Sequence, residues 1–221
     1  MVFMFTGIVQ CMGKIAVVRA SPSGARLLVD PSDWPYCAGP GESISVGGVC
    51  LTHAPSDDEG RGWLAFDVVR ETLHCTTLGS LDAGSRVNLE PSLRPDTPMG
   101  GHFVQGHIDG IGTIKTVKKG KDWRIVVDAP ATIMAYIIPK GSIAIDGVSL
   151  TVVWAREHAF EVALIPTTLS LTTLGQVEAG TRVNLESDIL TRTIVHTLKI
   201  RHMAAGSLTR QILGQAGFTD G

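Results

Sequence analysis

The sequence contains one short phrase twice, as GVCLT at residues 48–52 and as GVSLT at residues 147–151. Four of the five letters agree, and the fifth exchanges the thiol of Cys50 for the hydroxyl of Ser149. Both side chains can donate hydrogen bonds or act as nucleophiles. The pair raises two questions: whether the whole chain is duplicated, and whether the exchanged residue separates two roles.

Three further phrases recur in the same order, which indicates that the duplication covers most of the chain. FTGIVQCMGKI (5–15) is loosely matched by VQGHIDGIGTI (104–114), FDVVRETLHCTTLG (66–79) by FEVALIPTTLSLTTLG (160–175), and GSRVNLE (84–90) by GTRVNLE (180–186). A period of roughly one hundred residues is too long for a solenoid repeat and is typical of a duplicated domain. We therefore expect similar domains at residues 4–94 and 101–187, connected by the Pro-rich segment PSLRPDTPMGG.

Each half consists of short segments rich in β-branched residues and separated by Gly, Pro, Asp and Ser. The first half contains ISV, RLLV, WLAFDVV and RVNLE, and the second contains GTIKTV, WRIVVDA, SIAI, LTVVWA, AFEVALI and RVNLE. Strands of this length and spacing predict a small closed barrel or a sandwich in each half. The segments RETLHCTTLGSL and PTTLSLTTLGQV each predict a turn of helix that ends near a glycine.

The pattern changes at the C-terminus, in the predicted segment 188–213. Leu190, Ile194 and Leu198 follow one another at four-residue spacing, with Val195 beside them, which predicts an amphipathic helix. A single short helix buries little apolar surface by itself. Its apolar face is therefore expected to dock on a barrel or on another chain.

Composition limits the classes of function. The chain has 221 residues, 44% of them hydrophobic, and a formal net charge of -2, which argues against a broad basic surface for nucleic acid. The N-terminus lacks the pattern of a signal peptide, and no window of about 18 consecutive apolar residues predicts a membrane span. The four cysteines form no CxxC pair, so we expect free thiols, no metal site and a cytoplasmic protein.

The duplication suggests a function for the repeated phrase. Cys50 and Ser149 are expected at strand starts on the rims of two similar pockets. If both pockets accept the same molecule, the chain can present two copies of it to one another. The alternative is that duplication only enlarges the protein and that one pocket is inactive.

Three other titratable residues are candidates for chemistry. His102 and His107 are five residues apart, and on a strand an odd spacing places them on opposite faces, which argues against a shared metal. One of them is a candidate proton shuttle, with a structural histidine as the alternative. Asp188 has no acidic counterpart in the first half, and it is either a helix N-cap or a carboxylate that acts on a substrate.

The repeated motifs together resemble the riboflavin synthase family of the alpha-chain type. The resemblance rests on MFTGIV (4–9), GVCLT, GGHFVQGHIDG (100–110), KGSIAIDGVSLTV (140–152) and LIPTTLSLTTLG (164–175), in order over nearly the whole chain. It implies an all-β fold of two similar six-stranded Greek-key barrels in tandem plus a C-terminal α-helix. It also implies a homotrimer that assembles through those helices, and it raises association with lumazine synthase as a further expectation.

The resemblance implies a transferase that needs no metal and no organic cofactor. Two molecules of 6,7-dimethyl-8-ribityllumazine would give riboflavin and 5-amino-6-(D-ribitylamino)uracil by transfer of a four-carbon unit. The productive site would form between the N-terminal barrel of one subunit and the C-terminal barrel of its neighbour.

Carried over position by position, the resemblance implies two sets of substrate-binding residues. The first pocket would contain Gly7, Ile8, Val9, Cys50, Leu51, Thr52, Asp67, Val68, Val69, Arg70, Glu71 and Thr72. The second would contain Gly106, His107, Ile108, Ser149, Leu150, Thr151, Leu164, Ile165, Pro166, Thr167, Thr168 and Leu169. Lys140 would reach a ligand across the subunit boundary. The expected catalytic residues are Cys50, Ser149, Asp188, His102 and Thr6.

Two departures and two alternatives accompany this interpretation. Met1, Val2 and Phe3 precede the usual MFTGIV start, and Thr167 replaces an acidic residue or histidine that is common there. One alternative is a non-catalytic lumazine protein that serves as an optical antenna, and the intact GVCLT phrase and Asp188 argue against it. The other is the flavin-binding barrel of a reductase, which would need a nicotinamide-binding domain downstream.

Overall fold

The computed structural model of the chain describes residues 4–55 and 62–201. It contains two compact units, Met1–Asp188 and Ile189–Gly221. Three sequence expectations fall wholly or partly outside the described residues. They are the extra residues 1–3, residues 56–61 of the predicted first domain, and the part of the predicted C-terminal segment beyond residue 201.

The first repeat folds into a six-stranded antiparallel sheet. Its strands are β1 (Cys11–Ser21), β2 (Gly24–Asp30), β3 (Ser43–Val46), β4 (Val49–Thr52), β5 (Leu64–Val69) and β6 (Arg86–Pro91), in the order β4-β3-β6-β1-β2-β5. The two outer strands approach each other just after β4, where a bridge joins His53 to Phe66. The Ala54 N–H also donates to the Ala65 carbonyl at 2.8 Å.

The second repeat forms a closed barrel. Its strands are β7 (Gly110–Lys118), β8 (Trp123–Asp128), β9 (Ser142–Ile145), β10 (Val148–Arg156), β11 (Ala159–Leu164) and β12 (Arg182–Ser187), in the order β10-β11-β8-β7-β12-β9. This is the same circular order as in the first repeat. Closure is more extensive here because β10 has nine residues and pairs with both β9 and β11, whereas β4 has only four.

The repeats also agree in local detail, which confirms the predicted all-β duplication. Bulges interrupt β1 between Ile15 and Val17 and β7 between Ile114 and Thr116. The two predicted helical turns are present, as α1 (Arg70–Cys75) and α3 (Pro166–Leu171), each followed by a 3-10 turn. Sequence reading missed the short α2 (Ala131–Met134) and the long β1, whose alternation of polar and apolar residues is broken by the bulge.

The two barrels are joined by an asparagine from each RVNLE phrase. Asn88 accepts from the Thr173 N–H at 2.8 Å and donates to the Asp146 carbonyl at 2.9 Å. Asn184 accepts from the Thr77 N–H at 2.7 Å and donates to the Gly47 carbonyl at 2.8 Å. Because each amide satisfies backbone groups of the opposite repeat, it fixes the register between the barrels.

Asp146 breaks the symmetry of this interface, since the first repeat has Gly47 at the equivalent position. Asp146 borders a cavity of about 600 Å³ between the repeats, and its carboxylate accepts from the Asn184 N–H at 2.7 Å. Burial raises the pKa of Asp146 from 3.8 to about 7, and the hydrogen bond from Asn184 opposes this only in part. The folded chain therefore holds a proton here that the unfolded chain releases at lower pH.

We expect Asp146→Asn to remove a pH dependence of stability. Because the folded-state pKa of Asp146 is raised, the contribution of this group to wild-type stability is greatest below pH 4. That contribution falls as the pH rises towards 7. The variant should match the wild type near pH 4 and exceed it by up to about 4 kcal/mol at pH 7.5, because each unit of the pKa shift is worth about 1.4 kcal/mol. Urea unfolding at four pH values checks this, and a difference that does not change with pH would contradict it.

The second unit contains a helix, α4, over residues 189–201. The side chains that the sequence placed on its apolar face, Leu190, Ile194 and Leu198, are 55%, 61% and 50% exposed. Within the described residues, no helix has the length and apolar character needed to cross a membrane.

Candidate active site

Two short loops exchange between the barrels, and they lie against the two GVxLT phrases of the candidate site. We call residues 5–9 the first crossing loop and residues 104–108 the second crossing loop. They run antiparallel where they meet: the Phe5 N–H donates to the Val104 carbonyl at 2.7 Å, and the Val104 N–H donates to the Phe5 carbonyl at 3.1 Å. The meeting point is a small buried apolar cluster of Phe5, Val104 and Ala144, with Cys50 packed beside it.

Each crossing loop lies against the repeated GVxLT phrase of the opposite barrel. The Ser149 N–H donates to the Gly7 carbonyl at 2.8 Å, and Val9 belongs to the apolar core of the second barrel. In the symmetric arrangement, the Cys50 N–H donates to the Gly106 carbonyl at 3.0 Å, and Ile108 packs against the core of the first barrel.

This exchange differs from the way the sequence interpretation grouped the residues. That interpretation placed Gly7, Ile8 and Val9 with Cys50, and it placed Gly106, His107 and Ile108 with Ser149. In the structure, Gly7 lies beside Ser149, and Gly106 lies beside Cys50. The physical reason is that internal similarity aligns equivalent residues but carries no signal about which barrel a loop packs against.

Glycine is required at the centre of each crossing loop. Gly7 has φ +76°, and a Cβ atom built there would lie 2.6 Å from the Cβ atom of Ser149. Gly106 has φ +75°, and a Cβ atom would lie 2.6 Å from the Cβ atom of Cys50. Only glycine combines a left-handed backbone with such a close approach, which explains why TGI and QGH keep this residue.

The pocket beside Ser149 is a cavity of about 560 Å³, a volume in the range of small-molecule sites. Its lining includes six residues that the sequence assigned to substrate binding: Lys140, Ser149, Leu150, Thr151, Ile165 and Thr168. Lys140 lines the pocket of its own chain. Sequence reading missed Val152, Val153 and Ala163. The last two lie two residues from Thr151 and Ile165 and therefore on the same strand faces.

Ser149 forms a hydrogen-bonded pair with a histidine. The Nδ1 atom of His102 lies 2.8 Å from the Oγ atom of Ser149, and the His102 backbone N–H donates to the Thr6 carbonyl at 3.0 Å. Burial lowers the pKa of His102, while the negative charge of Asp188 opposes that shift. The neutral imidazole is thus favoured near pH 7, which suits a group that accepts a proton.

Asp188 and His107 occupy different places relative to this pair. Asp188 is close enough to His102 to influence its charge, and it also directly precedes α4, the position expected of an N-cap. His107 is exposed on the second crossing loop, so the two histidines do not share one location.

The surroundings of Cys50 are chemically different from those of Ser149. Cys50 is half-buried, and burial raises the pKa of its thiol, with the charge of Glu186 acting in the same direction and a hydrogen bond from Ser43 opposing. The thiol is therefore protonated at neutral pH. A cysteine becomes a strong nucleophile when its pKa is lowered, and the surroundings of Cys50 shift its pKa in the opposite direction.

The other residues expected in the first pocket divide between core and surface. Leu51 and Val68 are buried in the first barrel, and their counterparts Leu150 and Leu164 are buried in the second. Asp67 is exposed, and both of its carboxylate oxygens accept from Arg26 at 2.9 Å. The remaining expected residues of both pockets lie at strand ends or on α1 and α3, partly or fully exposed: Thr52, Val69, Arg70, Glu71, Thr72, Pro166, Thr167 and Leu169.

Thr6 is held in a way that limits the catalytic role expected for it. Its side chain is buried, its hydroxyl donates to Glu90 at 2.7 Å, and the same oxygen accepts from the Ile8 N–H at 3.1 Å. The hydroxyl proton is therefore engaged within the chain. Sequence reading missed Glu90 and its counterpart Glu186, although the repeated RVNLE phrase contains both.

Comparison with known proteins identifies the repeats. The family model described as lumazine binding domain matches twice, at residues 6–92 and 105–188. The riboflavin synthase of Mycobacterium tuberculosis is 42% identical over 200 residues, which cover 89% of this chain and 98% of that protein. The riboflavin synthase of Actinobacillus pleuropneumoniae is 39% identical over 219 residues, which cover 97% and 100%.

A solved structure shares the fold. LumP complexed with 6,7-dimethyl-8-(1'-D-ribityl) lumazine aligns with a TM-score of 0.73 and 26% sequence identity, covering 83% of this chain and 99% of that one. LumP complexed with riboflavin aligns with a TM-score of 0.72 and 28% identity over the same shares of the two chains. With two matched lumazine-binding domains and relatives of about 40% identity over most of its length, the chain belongs to the riboflavin synthase family.

Proposed function

We propose that this chain catalyses the conversion of two molecules of 6,7-dimethyl-8-ribityllumazine into riboflavin and 5-amino-6-(D-ribitylamino)uracil. One structural observation carries the proposal: in a single chain, the GVxLT phrase of each repeat packs against the crossing loop of the other, which gives two equivalent arrangements. A reaction between two identical molecules needs such a pair of equivalent sites.

The chemistry needs positioning and proton transfer. The C7 methyl group of the lumazine is unusually acidic because its anion delocalises into the ring system. Holding two rings face to face removes most of the entropic barrier to their reaction, which is worth several kcal/mol. We assign proton transfer to His102 acting with Ser149, and recognition of the uracil edge to the hydroxyls of Thr52, Thr151 and Thr168.

We further propose that the active assembly is a homotrimer, in which the first barrel of one subunit meets the second barrel of its neighbour. The exposed apolar side chains of Leu190, Ile194 and Leu198 on α4 support an interface between copies. Light scattering should give three times the 23.5 kDa mass of the chain. Association with lumazine synthase stays a prediction.

The activity is tested by mixing the protein with the lumazine substrate, without any added cofactor, and following riboflavin absorbance. An enzyme forms one riboflavin for every two lumazine molecules consumed. A chain that binds lumazine but forms no riboflavin would refute the proposal.

The second candidate function is a non-catalytic lumazine-binding protein. It is favoured only by the likeness to LumP, which is less similar in sequence than the riboflavin synthases. In the same assay such a protein would change the fluorescence of the substrate and leave its concentration constant.

We expect Cys50→Ser to lower kcat sharply, by at least about tenfold, and to leave riboflavin binding unchanged. The exchange shortens a half-buried contact beside Gly106 and replaces a weak donor with a strong one. Since the Cys50 thiol stays protonated, the ratio of the wild-type kcat to the Cys50→Ser kcat should be constant between pH 6 and pH 8. A ratio that changes with pH would indicate a thiolate, and unchanged turnover would remove Cys50 from the catalytic residues.

A further inference from the structure

Two buried carboxylates lie directly beneath the crossing loops. Glu90 and Glu186 end the two RVNLE phrases, and they are only 4% and 2% exposed. Buried glutamates are rare because removing their charge from water costs free energy unless hydrogen bonds compensate. What surrounds these two side chains therefore requires an explanation.

Backbone N–H groups of the crossing loops surround each carboxylate. Glu90 accepts from the Thr6 N–H at 2.7 Å and the Gly7 N–H at 3.0 Å, in addition to the Thr6 hydroxyl. Glu186 accepts from the N–H groups of Gln105, Gly106 and His107 at 2.7, 2.9 and 3.1 Å. Each loop is thus folded around a carboxylate, with three donors on one acceptor group.

These loops carry the groups that contact the candidate catalytic residues. The Gly7 carbonyl accepts from the Ser149 N–H, and the Thr6 carbonyl accepts from the His102 N–H. Glu90 is therefore connected to His102 through Thr6 and to Ser149 through Gly7. Its counterpart Glu186 is connected in the same way, through Gly106, to Cys50.

We propose that each carboxylate is a positioning residue for the GVxLT phrase of the opposite barrel. Glu90, a residue of the first barrel, fixes the first crossing loop against Ser149 and His102. Glu186, a residue of the second barrel, fixes the second crossing loop against Cys50. The inference rests on the proposed function, because the positioned residues are assigned to riboflavin formation. The hydrogen bonds of the two glutamates do not depend on that assignment.

The two glutamates provide a matched pair of variants, Glu90→Gln and Glu186→Gln. Glutamine has nearly the same size, but its amide group cannot accept from the backbone N–H that faces it. Both variants lose comparable bonds at comparable burial, so a purely structural role predicts similar effects on both. A positioning role predicts different effects, because the first crossing loop accepts a hydrogen bond directly from the His102 N–H, whereas the second is connected to His102 through the chain.

The test measures kcat and KM against pH for the full-length wild type and both variants. We expect both variants to lose about 10- to 100-fold in kcat. Only Glu90→Gln should also move the acidic limb of the pH profile to higher pH, because a displaced loop lets water reach His102 and returns its lowered pKa towards the ordinary value. Glu90→Asp, which keeps the charge, should recover part of the loss.

Other outcomes overturn the proposal. Equal losses of melting temperature with unchanged kcat in both variants would show that the carboxylates only stabilise the fold. Identical shifts of the pH profile in both variants would exclude a specific link between Glu90 and His102. If the Gln variants do not fold, Glu90→Asp and Glu186→Asp provide the same comparison.

A failure of the proposed reaction would be visible separately, since the wild type itself would form no riboflavin. The positioning role is then tested by titrating riboflavin and following its fluorescence. We expect about tenfold weaker binding in each Gln variant. Wild-type affinity in both variants would overturn the proposal.

Discussion

Substituting His102 with asparagine is expected to lower kcat for riboflavin formation by about 100-fold, while the chain still binds riboflavin. Asparagine can keep a hydrogen bond to the Ser149 hydroxyl, which lies 2.8 Å from the imidazole Nδ1 atom. It cannot take up a proton near neutral pH. The loss therefore measures proton transfer and leaves the geometry of the pocket largely intact.

The pH profile adds an independent check on the role of His102. If the neutral imidazole is the active form, kcat/KM falls at low pH as the ring becomes protonated. Because burial lowers the pKa of His102, that fall should occur below the ordinary histidine value of 6.5, and the profile should be flat above pH 7. The acidic limb should disappear in His102→Asn.

His158→Asn is the matched control for this experiment. His158 is exposed in the turn between β10 and β11 and borders a separate cavity that does not contain Ser149. It should retain wild-type kcat and the same pH profile. A His102→Asn variant that behaves like this control would exclude His102 from the reaction and would leave Ser149 without its proton acceptor.

The repeated phrases predicted much of the fold. Periodicity near one hundred residues predicted two similar domains, and the structure has two sheets with the same circular strand order and bulges at equivalent positions. The TTLG phrases predicted the helical turns before Gly79 and Gly175. These features depend on local patterns that a single sequence carries directly.

Contacts between distant residues were not predictable in the same way. His102 and Ser149 are separated by 47 positions, and nothing in their local sequence indicates that they meet. The exchange of the crossing loops and the burial of Glu90 and Glu186 also depend on the packing of one barrel against the other. The sequence interpretation therefore named residues of both crossing loops without predicting which barrel each loop packs against.

The structure gives a physical explanation for the exchange of Cys50 and Ser149 between the two copies of the repeated phrase. The hydroxyl of Ser149 has a histidine partner and lines a cavity, whereas the thiol of Cys50 has a raised pKa beside the charge of Glu186. The two equivalent positions therefore differ in their capacity to exchange protons. A reaction that treats two identical molecules differently needs such a difference between otherwise similar pockets.

Replacing Gly7 with alanine is expected to have the second large effect, on both activity and stability. The backbone at Gly7 is left-handed, with φ +76°, and the added Cβ atom would lie 2.6 Å from the Ser149 Cβ atom and 2.8 Å from its nitrogen. Neither neighbour can move freely, because the Ser149 N–H donates to Gly7 itself. We expect about 2–4 kcal/mol lower stability and about 100-fold lower kcat/KM.

Gly180→Ala separates the effect of the left-handed backbone from the effect of the close contact with Ser149. Gly180 also has a left-handed backbone, with φ +91°, but a Cβ atom there would meet nothing within 4 Å. It should cost only about 1 kcal/mol of backbone strain and leave turnover unchanged. The difference between the two variants in urea unfolding and in kcat/KM thus measures the contact of the first crossing loop with Ser149. Equal effects in both variants would mean that the loop does not pack on the second barrel as described, and the equivalent packing of the two crossing loops would no longer support the proposed function.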